Sequence, residues 1–161
     1  MSKEELKKEL DFDEIRNKKI EFLESHHTII IATSHDNKVT ARTVTYATEG
    51  LDFYFMSWDH HEKILQIKEN SNVALARDNI SIKGVAEILG KPLDEKSKKG
   101  AEVTKKKHPK EFEIFCRIPG MIMVKVTPTY IKSWVRIDNK FFIEHLDLEN
   151  KIAYLEKPNK S

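Results

Sequence analysis

The alternation of apolar and polar residues predicts a chain built mainly from short β-strands. The apolar run at residues 28–33 is rich in β-branched side chains, and the turn-forming residues 34–37 follow it. Further apolar or alternating runs, each bounded by turn residues, lie at 39–47, 51–56, 73–77, 80–89 and 121–137. Gly84 inside one of these runs predicts a β-bulge or a close backbone approach. The pattern therefore predicts about six strands, the first two of which form a hairpin.

Helical spacing of apolar residues predicts the remaining elements. Residues 3–25 interleave Leu, Ile and Phe with Lys and Glu, and an aspartate near residues 11–13 could cap a second helical segment. Shorter helices are predicted at residues 60–69, 92–107 and 110–115. The helix at 92–107 is rich in lysine and is expected to face solvent. About six strands with helices at their ends describe a small closed barrel.

Composition bounds the class of protein. Of the 161 residues, 39% are hydrophobic and 34% are charged, which is typical of a single globular domain that is soluble in water. The formal net charge of +2 does not indicate a strongly basic surface that would bind a polyanion, so no nucleic-acid partner is expected. The lone Cys116 excludes an internal disulfide and fits a reducing compartment. No signal core or membrane-spanning apolar run is visible, so a cytoplasmic protein without membrane contact is expected.

The segment from Arg42 to Lys63 contains the candidate chemistry. It reads as a strand, a turn at Gly50, a second strand that ends near Ser57, and the start of a helix. A hydroxyl, free backbone N–H groups at a helix start and a lysine on its first turn together favour an anion. The segment therefore predicts a phosphate site.

No constellation of catalytic side chains is visible. The chain has no Gly-x-Ser-x-Gly elbow, no Walker loop and no Gly-x-Gly-x-x-Gly fingerprint. Cys116 lies in an apolar run, which is typical of a structural cysteine. The acids and histidines at residues 59–62 are chain neighbours and rarely converge on one ion, so no metal site is expected. This absence fits a protein in which a bound cofactor carries the redox chemistry.

An ordered set of short motifs resembles the FMN-binding split-barrel proteins, the pyridoxamine-phosphate-oxidase-like superfamily. The motifs are Arg42-Thr43-Val44, Phe55-Met56-Ser57, Lys63 at a helix start, Asn70 with Val73 and Leu75, and Gly84-Val85-Ala86-Glu87. The resemblance covers roughly residues 20–135. It implies a mainly β fold of the α+β kind, a six-stranded antiparallel split barrel.

The length of the chain and its predicted elements indicate a single domain, residues 1–161, with three parts. Residues 1–25 are expected to form an N-terminal helical segment, residues 20–137 the barrel, and residues 138–161 a C-terminal extension. Within that extension, the amphipathic runs at 141–146 and 152–155 fit either a hairpin or a short helix.

FMN is the cofactor that the resemblance implies. The residues expected to contact it are Arg42, Thr43, Val44, Met56, Ser57, Lys63, Asn79 and Trp134. Lys63 would bind the phosphate, Asn79 would contact the flavin ring, and Trp134 would lie across a dimer interface. Relatives often have a basic residue where this chain has Glu62, so phosphate binding here rests more on Lys63 and Arg42.

The implied function is that of a homodimeric FMN-dependent oxidoreductase, acting on a small molecule or as a flavin reductase. NADH, NADPH or another small molecule would donate the electrons. No Arg-Leu-His-like segment follows Trp134, and its absence disfavours oxidation of vitamin B6. The alternative is a non-enzymatic barrel that binds flavin, deazaflavin or haem. His26, His27, His60 and His61 leave haem ligation open.

Overall fold

The computed structural model describes residues 7–157 and contains ten strands, four α-helices and a short 3-10 helix at Glu95–Ser97 in that range. The strands are β1 Lys7–Leu10, β2 Thr28–His35, β3 Lys38–Thr45, β4 Ala47–Glu49, β5 Asp52–Trp58, β6 Asn72–Arg77, β7 Ile80–Gly90, β8 Met121–Ile137, β9 Lys140–Asp147 and β10 Ile152–Glu156. The helices are α1 Phe12–Glu24, α2 Glu62–Glu69, α3 Lys98–Lys107 and α4 Pro109–Phe115.

All strand pairs are antiparallel, and the long strand β8 joins two parts of one sheet. From β3 the order runs through β2, β6 and β7 to β8. The first half of β8 pairs with β5, which pairs with β4, and the second half of β8 pairs with β9. The sheet then continues through β10 to β1. β8 therefore belongs both to the barrel and to a C-terminal sheet.

The antiparallel, mainly β fold predicted from the sequence is confirmed, and the strand count is corrected. The six predicted strands are present as β2, β3, β5, β6, β7 and β8. The described part of the chain adds β1, β4, β9 and β10. The sheet is also not closed, since β3 and β5 face each other without pairing. The barrel is therefore split at that point.

The N-terminal helix begins later than its apolar pattern predicts. Lys7–Leu10 is strand β1, because the edge of β10 supplies backbone partners that outweigh local helical propensity. The expected cap is confirmed: the Asp11 carboxylate accepts a hydrogen bond from the Glu14 backbone N–H at 2.8 Å. Residues 3–6, at the start of the predicted helix, lie outside the described residues.

The C-terminal extension forms a hairpin, the first of its two predicted alternatives. Register pairs Ala153 with Leu146 and Tyr154 with His145, and β1 then covers the outer edge of β10. Both Ala153 and Leu146 are buried. The alternation of the two runs thus places one apolar face on the core. Residues 158–161 lie outside the described residues.

A polar cluster is enclosed in this C-terminal sheet. The His145 ring is 4% exposed and stacks on Tyr154, with the ring centroids 4.3 Å apart. His145 Nε2 donates to the Glu156 carboxylate at 2.5 Å, and its Nδ1 lies 2.6 Å from the Tyr130 hydroxyl. The Tyr154 hydroxyl lies 3.2 Å from that of Tyr130. Burial and the bond to Tyr154 raise the pKa of Tyr130, so its hydroxyl stays protonated.

Two glycines allow close packing around the barrel. A Cβ on Gly84 would lie 2.8 Å from Val126 Cγ1, and the β7–β8 register shifts there, which confirms the bulge predicted at this residue. A Cβ on Gly100 would lie 2.6 Å from Tyr54 Cδ1. Gly100 therefore lets α3 lie directly on β5. No helix within residues 7–157 is both long and apolar enough to cross a membrane.

Candidate functional site

A cleft of about 240 Å³ lies between the split edge of the barrel and the helices α2, α3 and α4. The residues that line it from the sheet are Thr43, Val44 and Thr45 of β3, Tyr46 directly after β3, and Phe55, Met56, Ser57 and Trp58 of β5. The other lining residues are His61, Lys63, Thr104, His108, Glu111, Phe115 and Met121. Five of the eight residues predicted to bind a cofactor line this cleft: Thr43, Val44, Met56, Ser57 and Lys63.

The cleft runs along β3, with a different helix at each end. At one end, Gln66 of α2 donates to the Lys38 carbonyl. At the other end, His108 donates to the Tyr46 carbonyl at 2.8 Å. Arg42, next to α2, is four residues before Tyr46, which places the Cα atoms of these two residues about 13 Å apart at the rise of a β-strand.

Lys63 lies at the α2 end of the cleft and supplies a positive charge there. Its Nζ is 3.3 Å from His61 Nδ1, and partial burial, followed by repulsion from Arg42, lowers the pKa of Lys63. His61 is the N-cap of α2, and its side chain makes no capping bond. A helix start with a lysine on its first turn favours an anion, as the sequence predicts.

Ser57 lies on β5, apart from the start of α2. Its side chain is buried, and Oγ donates to the Trp58 carbonyl at 3.1 Å. The cap of α2 is His61, so neither Ser57 nor Asp59 caps this helix. Ser57 therefore contributes to the floor of the cleft beside Met56, and the helix start contributes its own backbone groups.

Arg42 is held beside the cleft and does not line it. Its guanidinium donates to Thr33 Oγ1 at 2.8 Å and to Thr40 Oγ1, and it lies 3.8 Å from the Glu62 carboxylate. Both threonine hydroxyls donate to the Gln66 side-chain oxygen. This network fixes the guanidinium next to Lys63. Arg42 thus acts on the cleft through its charge.

Asn79 and Trp134 lie far from the cleft within one chain. The Asn79 side-chain amide donates to the Trp134 carbonyl, and the backbone N–H of Trp134 donates to the Asn79 carbonyl at 3.1 Å. Met121, which pairs with Trp58 at the cleft, is 13 residues before Trp134, or roughly 40 Å of strand. Trp134 is 53% exposed. These two residues form a separate surface.

The α3–α4 wall of the cleft is the part that sequence reasoning missed. Gly100, Thr104 and His108 recur every four residues and face the sheet. Lys107 also turns inward, since its ammonium donates to the Leu23 and His26 carbonyls, whereas the other lysines of α3 are exposed. The four-residue spacing is visible in the sequence, but the high lysine content outweighed it. Trp58 and Phe115 add an aromatic edge to the wall, with ring centroids 6.0 Å apart.

The cleft suits part of an elongated ligand with an anionic end and a planar end. Small-molecule sites usually enclose roughly 300–1,000 Å³, so this volume is below the usual range. Among the described residues, no group of three His, Cys, Asp or Glu side chains is arranged to hold a metal ion.

Comparison with known proteins agrees with this architecture. The family model described as pyridoxamine 5'-phosphate oxidase matches residues 15–135. Campylobacter jejuni ChuZ superposes with a TM-score of 0.73 at 14% identity, covering 95% of this chain and 68% of that protein.

Two further solved structures share the fold. The heme storage protein HutZ from Vibrio cholerae has a TM-score of 0.61 at 10% identity, covering 70% of this chain and 88% of that one. A FAD-binding protein from Mesorhizobium loti has a TM-score of 0.57 at 14% identity, covering 78% and 95%. Comparison with curated proteins gives no match.

Proposed function

Since the chain belongs to the pyridoxamine 5'-phosphate oxidase family, we propose that it binds FMN in this cleft and acts as an FMN-dependent oxidoreductase on a small molecule. One observation carries the proposal. The cleft follows a free strand edge, with Lys63 and a helix start on one side and the polar groups of Thr104, His108 and Glu111 with aromatic rings on the other. That arrangement matches a phosphate joined to a planar ring.

The residues of the cleft have distinct roles in this proposal. Lys63 and the start of α2 bind the phosphate. β3 is the last strand of its sheet path, so the backbone of Thr43, Val44 and Thr45 offers N–H and C=O groups to the ring edge. Met56 packs against the ring.

FMN supplies electron-transfer chemistry when it is bound. The protein provides a positive potential, since Lys63 and Arg42 both lie on the α2 side of the cleft. A positive potential favours a negatively charged ring. Electron donation by NADH or NADPH is part of the same proposal.

A homodimer completes the proposed site. The cleft of one chain is small for a whole cofactor, and Asn79 with the exposed Trp134 lies too far away to close it. We infer that a second copy brings its Asn79 and Trp134 to this cleft. Sedimentation of the flavin-loaded protein tests this inference: a dimer supports it, and a flavin-loaded monomer contradicts it.

Haem binding is the second candidate. Of the four histidines considered for this role, His61 lines the cleft, whereas His26 Nδ1 donates to the Phe22 carbonyl at 2.7 Å. Desolvation, followed by repulsion from Lys63 and His60, lowers the pKa of His61, which favours the neutral ring that ligates iron. The similar protein HutZ is described as a heme storage protein.

An absorbance spectrum of freshly purified protein distinguishes the candidates. Flavin bands, together with quenching of FMN fluorescence on titration, support the leading proposal. A Soret band and no FMN binding support haem. Anaerobic titration with NADH and NADPH then tests enzymatic reduction: bleaching of the flavin bands is expected, and unchanged bands would indicate a non-enzymatic carrier.

A further inference from the structure

We propose that Thr104 and His108, one helical turn apart at the end of α3, form a recognition wall for the uncharged polar edge of the ligand. This inference rests on the proposed function, because it assigns a ligand-binding role to the cleft wall opposite the phosphate end. It concerns residues on α3 and its cap, whereas the motifs read from the sequence lie on the strands and at the start of α2.

The Thr104 hydroxyl lacks an internal partner. Thr104 is 5% exposed and lines the cleft, and its Oγ1 has no hydrogen-bond partner among the described residues. In this structure Oγ1 itself is shielded from solvent. Contact with a ligand therefore requires rotation about χ1 to the second rotamer that helical threonines populate. A buried hydroxyl without a partner destabilises the folded protein, and a bound ligand would remove that cost.

The His108 ring is oriented by the backbone. Its Nε2 lies 2.8 Å from the Tyr46 carbonyl oxygen, which can only accept, so Nε2 carries the proton. In the neutral ring, Nδ1 is then an acceptor, and no described residue bonds to it. The His27 ring packs edge-on, with centroids 5.4 Å apart. His108 thus offers a fixed acceptor next to the Thr104 donor.

The wall is separate from the phosphate end. His108 bonds to the Tyr46 carbonyl, directly after β3. Arg42, which lies near Lys63 and Glu62, is four residues earlier, about 13 Å back along the strand. A ligand whose phosphate binds Lys63 would extend its ring toward α3. We therefore expect the wall to recognise the ring, and to contribute equally to FMN and riboflavin.

Other buried hydroxyls supply matched controls. Ser97 and Ser133 are also buried with unpartnered Oγ atoms, but neither lines the cleft. Removing any of the three hydroxyls should stabilise the ligand-free protein. Only Thr104 should also affect ligand binding.

The experiment measures FMN and riboflavin affinity together with the melting temperature of ligand-free protein. Thr104→Val should weaken both ligands by about tenfold, the loss of one hydrogen bond, and raise Tm by about 2–4 °C. Thr104→Ser should restore affinity. His108→Gln, whose amide can still donate to the Tyr46 carbonyl, should also weaken both ligands equally.

Ser97→Ala and Ser133→Ala should raise Tm and leave both affinities unchanged. If the wild-type protein binds flavin and Thr104→Val has unchanged riboflavin affinity, the proposed role of Thr104 in ligand recognition is wrong, and the proposed function remains intact. A loss confined to FMN would also overturn that role, because that result would place Thr104 at the phosphate. Wild-type protein that binds neither flavin would contradict the proposed function, and the wall with it.

Discussion

The polar cluster of the C-terminal sheet and the polar groups of the cleft are built in opposite ways. In the sheet cluster, Tyr130, His145, Tyr154 and Glu156 satisfy one another. In the cleft, Thr104 Oγ1 has no described partner, and the charge of Lys63 lies near that of Arg42. The first arrangement stabilises the fold, and the second maintains unmet polar groups that a ligand can satisfy.

The direction of hydrogen bonds in the sheet cluster reinforces this contrast. A carboxylate only accepts, so His145 Nε2 donates to Glu156, and Nδ1 lies within hydrogen-bond distance of the Tyr130 hydroxyl. The Tyr154 hydroxyl can then donate to Tyr130. The chain of bonds is complete without any external partner. Its disruption should therefore change stability and leave ligand binding unaffected.

Removal of His145 should have the largest effect. His145→Ala deletes a buried ring stacked on Tyr154 and leaves two partners without their bonds, so unfolding should be easier by about 3 kcal/mol. Urea denaturation measures the change, and His35→Ala, at an exposed position, is the control. FMN affinity of the folded variant should not change; a loss of affinity would show that the two regions are coupled.

Lys63→Ala tests the charged end of the cleft. The lost charge-assisted bond should weaken FMN by ten- to a hundredfold, or roughly 1.5–3 kcal/mol, and riboflavin much less because it lacks the phosphate. Fluorescence titration with both ligands measures the difference. Lys68→Ala, on the last turn of the same helix, should leave both affinities unchanged. Equal losses of FMN and riboflavin would make Lys63 a structural residue.

Arg42→Gln tests the held charge beside the cleft. Loss of the guanidinium charge should disfavour the anionic reduced ring. The reduction potential of the bound flavin should then fall by about 30 mV, the equivalent of about 1.4 kcal/mol for a two-electron couple. A potential titration of both proteins, saturated with FMN, measures the shift. If a folded variant keeps the wild-type potential, Arg42 serves the Thr33–Thr40–Gln66 network alone.

The smallest effect is expected from pH. The lowered pKa of Lys63 means that its ammonium loses its proton below the ordinary lysine value of 10.5. FMN affinity relative to riboflavin should therefore fall as pH rises toward that range and remain level around neutrality. Lys63→Arg keeps its charge and should show no such fall. A wild-type ratio that stays flat across the alkaline range would argue against a Lys63–phosphate contact.

Local signals in the sequence predicted the elements whose cause is local. The Asp11 cap and the Gly84 bulge each depend on one residue type at one backbone position. Lys7–Leu10 read as helix because the partner that makes it a strand, β10, lies at the other end of the chain. The same limit applies to α3, whose lysines are visible in the composition while the packing of Gly100 on Tyr54 is not.

The residues of the candidate site likewise fall into those that local sequence predicts and those that depend on distant parts of the chain. Thr43, Val44, Met56, Ser57 and Lys63 lie within one continuous segment, so the motifs that carry them also bring them together. His108 reaches the cleft from a distant helix through a bond to a backbone carbonyl, which no side-chain pattern encodes. Asn79 and Trp134 lie on a separate surface, and their predicted contact with a cofactor depends on a second chain.

The pairing of β1 with β10 has a consequence for how the protein acquires its structure during synthesis. Lys7 pairs with Glu156, so β1 leaves the ribosome long before its partner exists. Barrel pairs such as β2–β3 and β6–β7 are local in sequence and can form early, whereas closure of the longest loop comes last. The enclosure of His145 therefore waits until β10 has been made, while the strands of the ligand cleft can assemble beforehand.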